Sequence, residues 1–538
     1  MSVLRILCSV FVLTASSLAA AAPRFTLDPP HAGPPTGSVC GNGRLRCLAH
    51  VVLTPDGQIS ANVNPAGLVP ADIQSAYNID TNISGAPTVA IVDAFGYANL
   101  ESDLATYRSQ FGLPPCTRSN GCLTIVNQNG QPSPLPDDPP ANDDWTIETA
   151  LDIDMVSAAC PRCKILVVQA DDNQGDGLFF ANDAAASLHA TTVSNSWGGS
   201  ENPSSPVSAV EGHFDHPGIA IFASGGDSGY DNAGVGPNYP ATSAYVIGVG
   251  GTRLARSSAG RGWSETAWSK GGSGCSLSVP KPSFQPPSPC AFRASADVAA
   301  VGDPATGVAV YATNGPGWIV VGGTSAASPI VAAIFAATDH GNATPAFVAQ
   351  STSAYYDVTS GSNGSCGSIL CTAGVGWDGP TGYGTPNASA LAGTSGGGGG
   401  GGGGGLGVKI TTPADNAHVN AEFPIVATAS GPTVAVGLGI DGKLVSTLTA
   451  PPYVFHAPPS LSTGAHTVQV AVADANQNVV VTEIHVVVED LPPPDDLSGS
   501  DGTAACSTSH GADGVPLALV LVGLVARRRR RANHDRAR

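Results

Sequence analysis

Between Pro65 and Thr394, short apolar runs alternate with stretches of helical character. TVAIVDAF (88–95), CKILVVQAD (163–171), TTVSNSWG (191–198), GIAIFASGGDSG (218–229) and AYVIGVGG (244–251) read as buried strands. NDAAASLHA, from Asn182, reads as one of the helices between them. Strands that are apolar along their whole length need cover on both faces. Alternating with helices, they imply an α/β fold built on a doubly wound parallel sheet. Reactive side chains in such sheets gather at the carboxyl ends of the strands.

The pattern stops at a run of ten glycines, Gly396 to Gly405, which makes residues 395–407 a flexible linker. Residues 408–490 differ in kind. HTVQVAVAD and VVVTEIHVVVE alternate with period two, and Asp441-Gly442 marks a hairpin turn. This predicts a small all-β sandwich that resembles bacterial Ig-like modules. A Pro-rich linker (491–505) follows, then a tail (506–538) in which Cys506 precedes an apolar run, Val515 to Ala526, and five arginines. The apolar run is shorter than the roughly 20 residues of an ordinary membrane span, while the arginines suit a cytoplasmic stop. The order Cys, apolar run, Arg block resembles a myxosortase-type C-terminal sorting signal, which implies membrane attachment through this segment alone and processing at Cys506. At the other end, Arg5, an apolar stretch and small residues to Ala22 form a secretory signal (1–22). A short N-terminal segment (23–64) lies between it and the α/β region.

The formal charge is −18. Without the last twelve residues, which hold seven Arg and one Asp, sixteen basic residues face forty acidic ones, so the body is no nucleic-acid binder. Ten of the twelve cysteines are close neighbours in pairs: Cys40/Cys47, Cys116/Cys122, Cys160/Cys163, Cys275/Cys290 and Cys366/Cys371. In an exported chain this predicts five local disulfides. The CPRC at 160 has no second CxxC to complete a zinc site, which favours a structural disulfide.

Trp318-Ile-Val-Val leads into GGTSAASPIVAAI (322–334), a strand, a tight turn and a buried helix, with Ser325 near the helix N-terminus. A nucleophilic Ser325 needs a base. GTSAASP resembles the nucleophile motif of subtilisins, and VAIVDAFG the strand that carries their Asp, but the helical HGTH that supplies their histidine is missing. The histidines between Pro65 and Thr394 are His189, His213, His216 and His340; His213 and His216 read as a loop before a strand. By contrast WTIETALDIDMVSAACP places Glu148 and Asp152 four apart, on one face of an otherwise apolar helix. Such a pair is either a solvated acidic edge or a buried pair with a purpose. Asp227, after a strand and two glycines, is either an ordinary turn residue or a strand-end functional one.

Taken together, ETALD, SNSWG, SGGDSGY and GGTSAASP resemble, in their chain order, the sedolisin (serine-carboxyl) peptidases, and the match spans nearly all of 65–394. The resemblance implies a subtilisin-like fold with Ser325 as nucleophile, Glu148 as general base, Asp152 as its orienting partner and Asp227 as oxyanion donor. It implies hydrolysis of protein or peptide substrates in acid. It also implies one structural Ca²⁺, held by the Asp357 and Asp378 carboxylates and the Val358, Gly374 and Gly376 carbonyls in YYDVTSG and AGVGWDG. The sequence departs from the family in one respect. Sedolisins carry a large folded prodomain, and only about forty residues separate this signal from Pro65, so the control of activity is left open. The expected protein is a secreted monomeric peptidase tethered at the cell envelope. The competing readings are a non-catalytic surface adhesin on a peptidase scaffold, which intact Glu148, Asp152, Asp227 and Ser325 disfavour, and a Ser-His-Asp subtilisin.

Overall fold

The computed structural model describes residues 33–394 and 407–489, apart from residues 42, 84, 141–142, 202–206, 235, 259, 431–432, 450–452 and 475–478. Both the N-terminal signal and the C-terminal tail fall outside the described residues. The chain divides into two compact units between Gly397 and Gly398.

The first unit is built on an eight-stranded sheet. Its strands are β1 (Thr88–Ala94), β2 (Leu123–Asn127), β3 (Lys164–Ala170), β4 (Thr192–Asn195), β5 (Ala220–Ser224), β6 (Val246–Arg256), β7 (Trp263–Ala267) and β8 (Val298–Val301). They lie in the order β7-β6-β5-β4-β1-β3-β2, with β8 also on β6. Every pairing is parallel except β6 with β7. Strands such as β1 are buried along nearly their full length, as their unbroken apolar runs require. The longer helices are α1 (Leu100–Gln110), α2 (Trp145–Ala159), α3 (Gly177–Ser187) and α4 (Thr324–Ala337). All fifteen residues of α2 are buried, because it packs against α4, α1 and the strand Val308–Ala312 as well as β1. The expected doubly wound α/β fold is what the chain forms.

The described part of the short N-terminal segment is woven into this unit. Thr36–Ser38 and His50–Val52 pair with each other, and His50–Val52 adds to the hairpin Val308–Ala312/Gly317–Gly322 in an antiparallel sheet. Between them, Arg46–Cys47 pairs antiparallel with Trp197–Ser200. All five predicted disulfides are present.

The second unit is all β. One sheet holds Gly407–Thr412, Pro424–Ser430 and Tyr453–His456; the other holds Ala417–Val419, Val479–Val488, Gly464–Asp474, Thr433–Ile440 and Lys443–Leu448. Alternating residues such as Val436, Leu438, Val468, Val470 and Val472 fill the space between them. The Asp441-Gly442 turn has positive φ at both residues, 50° and 75°, as a tight hairpin needs. No helix among the described residues is long and apolar enough to cross a membrane.

Candidate active site

Ser325 is the second residue of α4, two residues past the glycine turn that ends the strand Gly317–Gly322. The turn is made by Gly323, at φ 112°. A side chain there would be strained and would also strike the Leu48 carbonyl and the Asp227 carboxyl, so only glycine fits. Glu148 and Asp152 lie one turn apart on α2, which packs on α4. Both are 0% exposed, which excludes a solvated acidic edge. Asp227 follows β5 through Gly225 and Gly226 and is 5% exposed.

The Ser325 hydroxyl donates to the Ser196 carbonyl at 3.0 Å and accepts the Leu48 N–H at 3.1 Å. The Ser196 hydroxyl donates in turn to Asp152 Oδ1 at 2.9 Å, which ties the residue after β4 to α2. Burial pushes the Glu148 carboxyl well above the ordinary range; the nearby Asp93 charge raises it further, the Ser325 hydroxyl lowers it, and Asp227 raises it. Burial does the same to Asp152, with Asp93 and Glu148 adding to the rise. Asp93, on β1, is itself pushed up to about 7 by burial. The cluster therefore holds three mutually repelling carboxyls that favour retaining protons. Asp93 lies in VAIVDAFG, and the likeness of that stretch to the Asp-bearing strand of subtilisins is its one sequence signal. Nothing local to the strand names its partners; the fold places it beside Glu148 and Asp152.

Asp227 caps α4: its Oδ1 accepts the Thr324 N–H and the Thr324 hydroxyl, each at 2.8 Å. Its other oxygen, Oδ2, lies 3.5 Å from Nε2 of His50. Asp227 Oδ2 and the Leu48 carbonyl oxygen both border Gly323, and that carbonyl accepts the Ser325 N–H at 3.0 Å. The Ser325 N–H thus meets the Leu48 carbonyl beside the serine hydroxyl, with the Asp227 carboxyl bordering the same glycine. His50 precedes Pro65 and so escapes a search for histidines confined to the α/β region. It is buried at the site, edge-on to Trp268, but faces Asp227. Among the described residues, the hydroxyl of Ser325 bonds backbone groups and no histidine. His213 and His216 both bond Asp183, on α3, at 2.7 and 3.0 Å, and His340 bonds the Thr394 carbonyl at 2.9 Å.

The Asp357 and Asp378 side chains are drawn together by one loop. Gly376 N–H donates to Asp357 Oδ2 and Gly374 N–H to Asp378 Oδ2, each at 2.9 Å. Asp378 is buried and pushed up to about 6, by burial first and with a contribution from the Asp357 charge. Asp378 Oδ1 also accepts the Thr381 N–H and hydroxyl, at 2.9 and 2.8 Å, and two such carboxyls are hard oxygen ligands of the class that Ca²⁺ takes. The one cluster of metal-ligating residue types found among the described residues, Cys40, Cys47 and Glu148, is no metal centre, because the two sulfurs are joined in a disulfide.

These features define a subtilisin/sedolisin-like α/β peptidase unit followed by an Ig-like sandwich. Residues 138–364 match the Subtilase family and residues 407–470 the Bacterial Ig domain. The relatives include Kumamolisin of Bacillus sp. (strain MN-32), 32% identical over 364 residues, covering 61% of this chain and 63% of that one. Sedolisin of Pseudomonas sp. (strain 101) is 27% identical over 406 residues, covering 68% of each. The structure of Pseudomonas sedolisin, a serine-carboxyl proteinase complexed with two molecules of pseudo-iodotyrostatin, aligns with a TM-score of 0.51 at 26% identity, over 61% of this chain and 98% of that one. The chain spans just under two thirds of the length of its Kumamolisin relative. Its first unit is thus similar to serine peptidases of the sedolisin and kumamolisin kind, and its second to a bacterial Ig domain.

Proposed function

We propose that the first unit is a serine-carboxyl peptidase that hydrolyses peptide bonds of proteins in acid. Ser325 is the nucleophile, Glu148 the general base, Asp152 the residue that orients it and Asp227 the oxyanion donor. The observation that carries this reading is the buried cluster itself: a serine at a helix N-terminus, two carboxyls one turn apart on the packed helix, and a serine hydroxyl bonded to no histidine among the described residues. Glu148 takes the Ser325 proton as Oγ attacks the substrate carbonyl carbon. The oxyanion that forms is held by the Ser325 N–H and by a proton on Asp227 Oδ2, while Oδ1 stays bound to Thr324. A carboxyl donates only while protonated, as a neutral acid can in an apolar site. Glu148 then passes its proton to the leaving amine.

One Ca²⁺ at Asp357, Asp378 and the carbonyls of Val358, Gly374 and Gly376 would tie this loop by neutralising its paired carboxyls. Five disulfides suit an oxidising compartment, in keeping with export; in this proposal the enzyme is a monomer attached at the cell envelope through 506–538. The test is digestion of a denatured protein by purified wild type, Ser325→Ala and Glu148→Gln. Wild type should cut in acid and both variants should not. Equal digestion by wild type and Ser325→Ala would leave the adhesin reading standing.

A further inference from the structure

The parallel pairing of β6 with β8 ends at Thr252 opposite Val301. Just past that end, where parallel sheets gather their working side chains, Arg253 and Asp303 border a cavity of about 210 Å³. Trp268 and Lys270 are among its other walls.

The cavity lies at the edge of the reaction site. A side chain at Gly251 would meet the Trp268 ring and also Cγ2 of Thr324, so a single glycine separates the cavity wall from the residue that Asp227 holds. The turn from Trp268 to Gly271 is pinned to the same place. Trp268 N–H donates to the Gly251 carbonyl at 3.0 Å, and Gly229 N–H, two residues after Asp227, donates to the Lys270 carbonyl at 2.9 Å. The chain itself marks a direction. The Leu48 carbonyl accepts the Ser325 N–H, and His50, two residues further on, packs edge-on to Trp268 with ring centroids 6.2 Å apart. A peptide lying through the site in this sense carries its leaving half toward the cavity.

The chemistry of the cavity suits an anion. The chain has a formal charge of −18 and only 23 basic residues, yet two of them line this one small space. Asp303 fixes the guanidinium without using it up. Its Oδ1 accepts the Ala305 N–H at 2.9 Å, and its Oδ2 accepts from Nη1 of Arg253 at 3.4 Å, one of the five donors that an arginine carries. Buried Trp268 gives an apolar wall for the stem of an acidic side chain, and exposed Arg253 and Ser269 leave the mouth open to solvent.

We propose that Arg253 and Lys270 form a carboxylate-binding subsite for the leaving half of the substrate, so that the enzyme favours bonds followed within a few residues by an acidic side chain or by the C-terminal carboxylate of the peptide. The inference rests on the peptidase reading above. Both sources present the same planar anion, which fits a guanidinium fork and a neighbouring ammonium. The preference carries its own pH limit. The substrate carboxylate must be ionised, and for Glu or a chain end that happens near pH 4. In an enzyme that works in acid, the subsite therefore acts in the upper part of the working range.

The test uses the purified full chain and one peptide that wild type cuts at a single bond. In one arm the peptide is amidated and carries Glu, or Gln as its partner, at each of the first four places after the bond. In the other arm the peptide ends at each of those places, as free acid or as amide. Wild type should show, in at least one arm, a place where the acid lowers KM roughly fivefold against its neutral partner with kcat little changed. The Glu arm responding assigns a side chain, and the other arm a chain end. The ratio should be present near pH 5, vanish near pH 3 and shrink as salt is raised. In Lys270→Gln and in Arg253→Gln the ratio should fall toward one; it is taken within each variant, so a general loss of activity cancels. Lys270 sits on a turn, so its variant keeps the test standing if Arg253→Gln does not fold. Equal KM for acid and neutral partners at every place in wild type would overturn the inference and leave the peptidase reading intact. So would a ratio that persists in both variants. Wild type that cuts no peptide or protein at any acid pH overturns both.

Discussion

At Glu148 the demands of folding and of chemistry oppose each other. Burial favours its neutral form, while a base must be ionised. Glu148→Gln keeps the shape and removes both the base and the buried acid. Its kcat/KM should fall by roughly 10²–10⁴-fold. Its melting temperature should match wild type in acid and exceed it near neutrality, where the unfolded wild-type chain has released a proton that the buried carboxyl favours keeping. Calorimetry at the two pH values checks this, and a variant less stable at both would mean that Glu148 is a structural partner. Ser325, Glu148, Asp152 and Asp227 were legible in the sequence because each sits in a short motif with its own local geometry: a helix start, an i,i+4 pair, a strand end. His50 and Leu48 were not. CLAHVVLTP reads as a plain apolar strand, and the contact of Leu48 with Ser325 spans 277 positions, which no local spacing encodes.

The helix α2 sets the pH behaviour of the whole unit. Together with Asp93 on β1, it places four carboxyls in the core, Asp93, Glu148, Asp152 and Asp154, whose folded pKa values are raised, Asp93 to about 7. The unfolded chain releases these protons near pH 4. Below that value both states hold them and the protein keeps its full stability. As pH rises toward the folded pKa values, the unfolded state binds fewer protons than the folded one, and stability falls, by at most about 1.4 kcal/mol per pH unit for each group. The melting temperature of the peptidase unit should therefore decline between about pH 4 and about pH 7. The decline should be shallower in Glu148→Gln. A melting temperature that rises over this range would contradict the burial of these groups as acids. The helix and the parallel strands were readable from their apolar runs. That the acidic pair faced inward was not, because periodicity gives the shared face of two residues but not what covers it; in α2 every face is covered.

On the scale of the molecule, two units of different construction share one chain. The Asp357/Asp378 loop belongs to the first, so chelation should lower its melting temperature and leave that of the Ig-like unit unchanged. Asp378→Ala should remove the response; an equal response in variant and wild type would end the calcium assignment. The apolar run of the tail begins at Val515, so deletion of residues 515–538 should move active enzyme from the cell envelope to the medium. Identical partitioning of the full-length and shortened forms would deny the tail an anchoring role. The central claim is that a carboxylate, and not a histidine, activates Ser325. Its most direct measurement is the pH dependence of kcat/KM for Ser325-dependent cleavage, followed in wild type and in His50, His189, His213, His216 and His340 variants. The account predicts a maximum in acid, a fall toward neutrality, and the same profile in each histidine variant. A maximum above about pH 7, where a neutral imidazole is the available base, or loss of the reaction with one histidine while Glu148→Gln retains it, would contradict it.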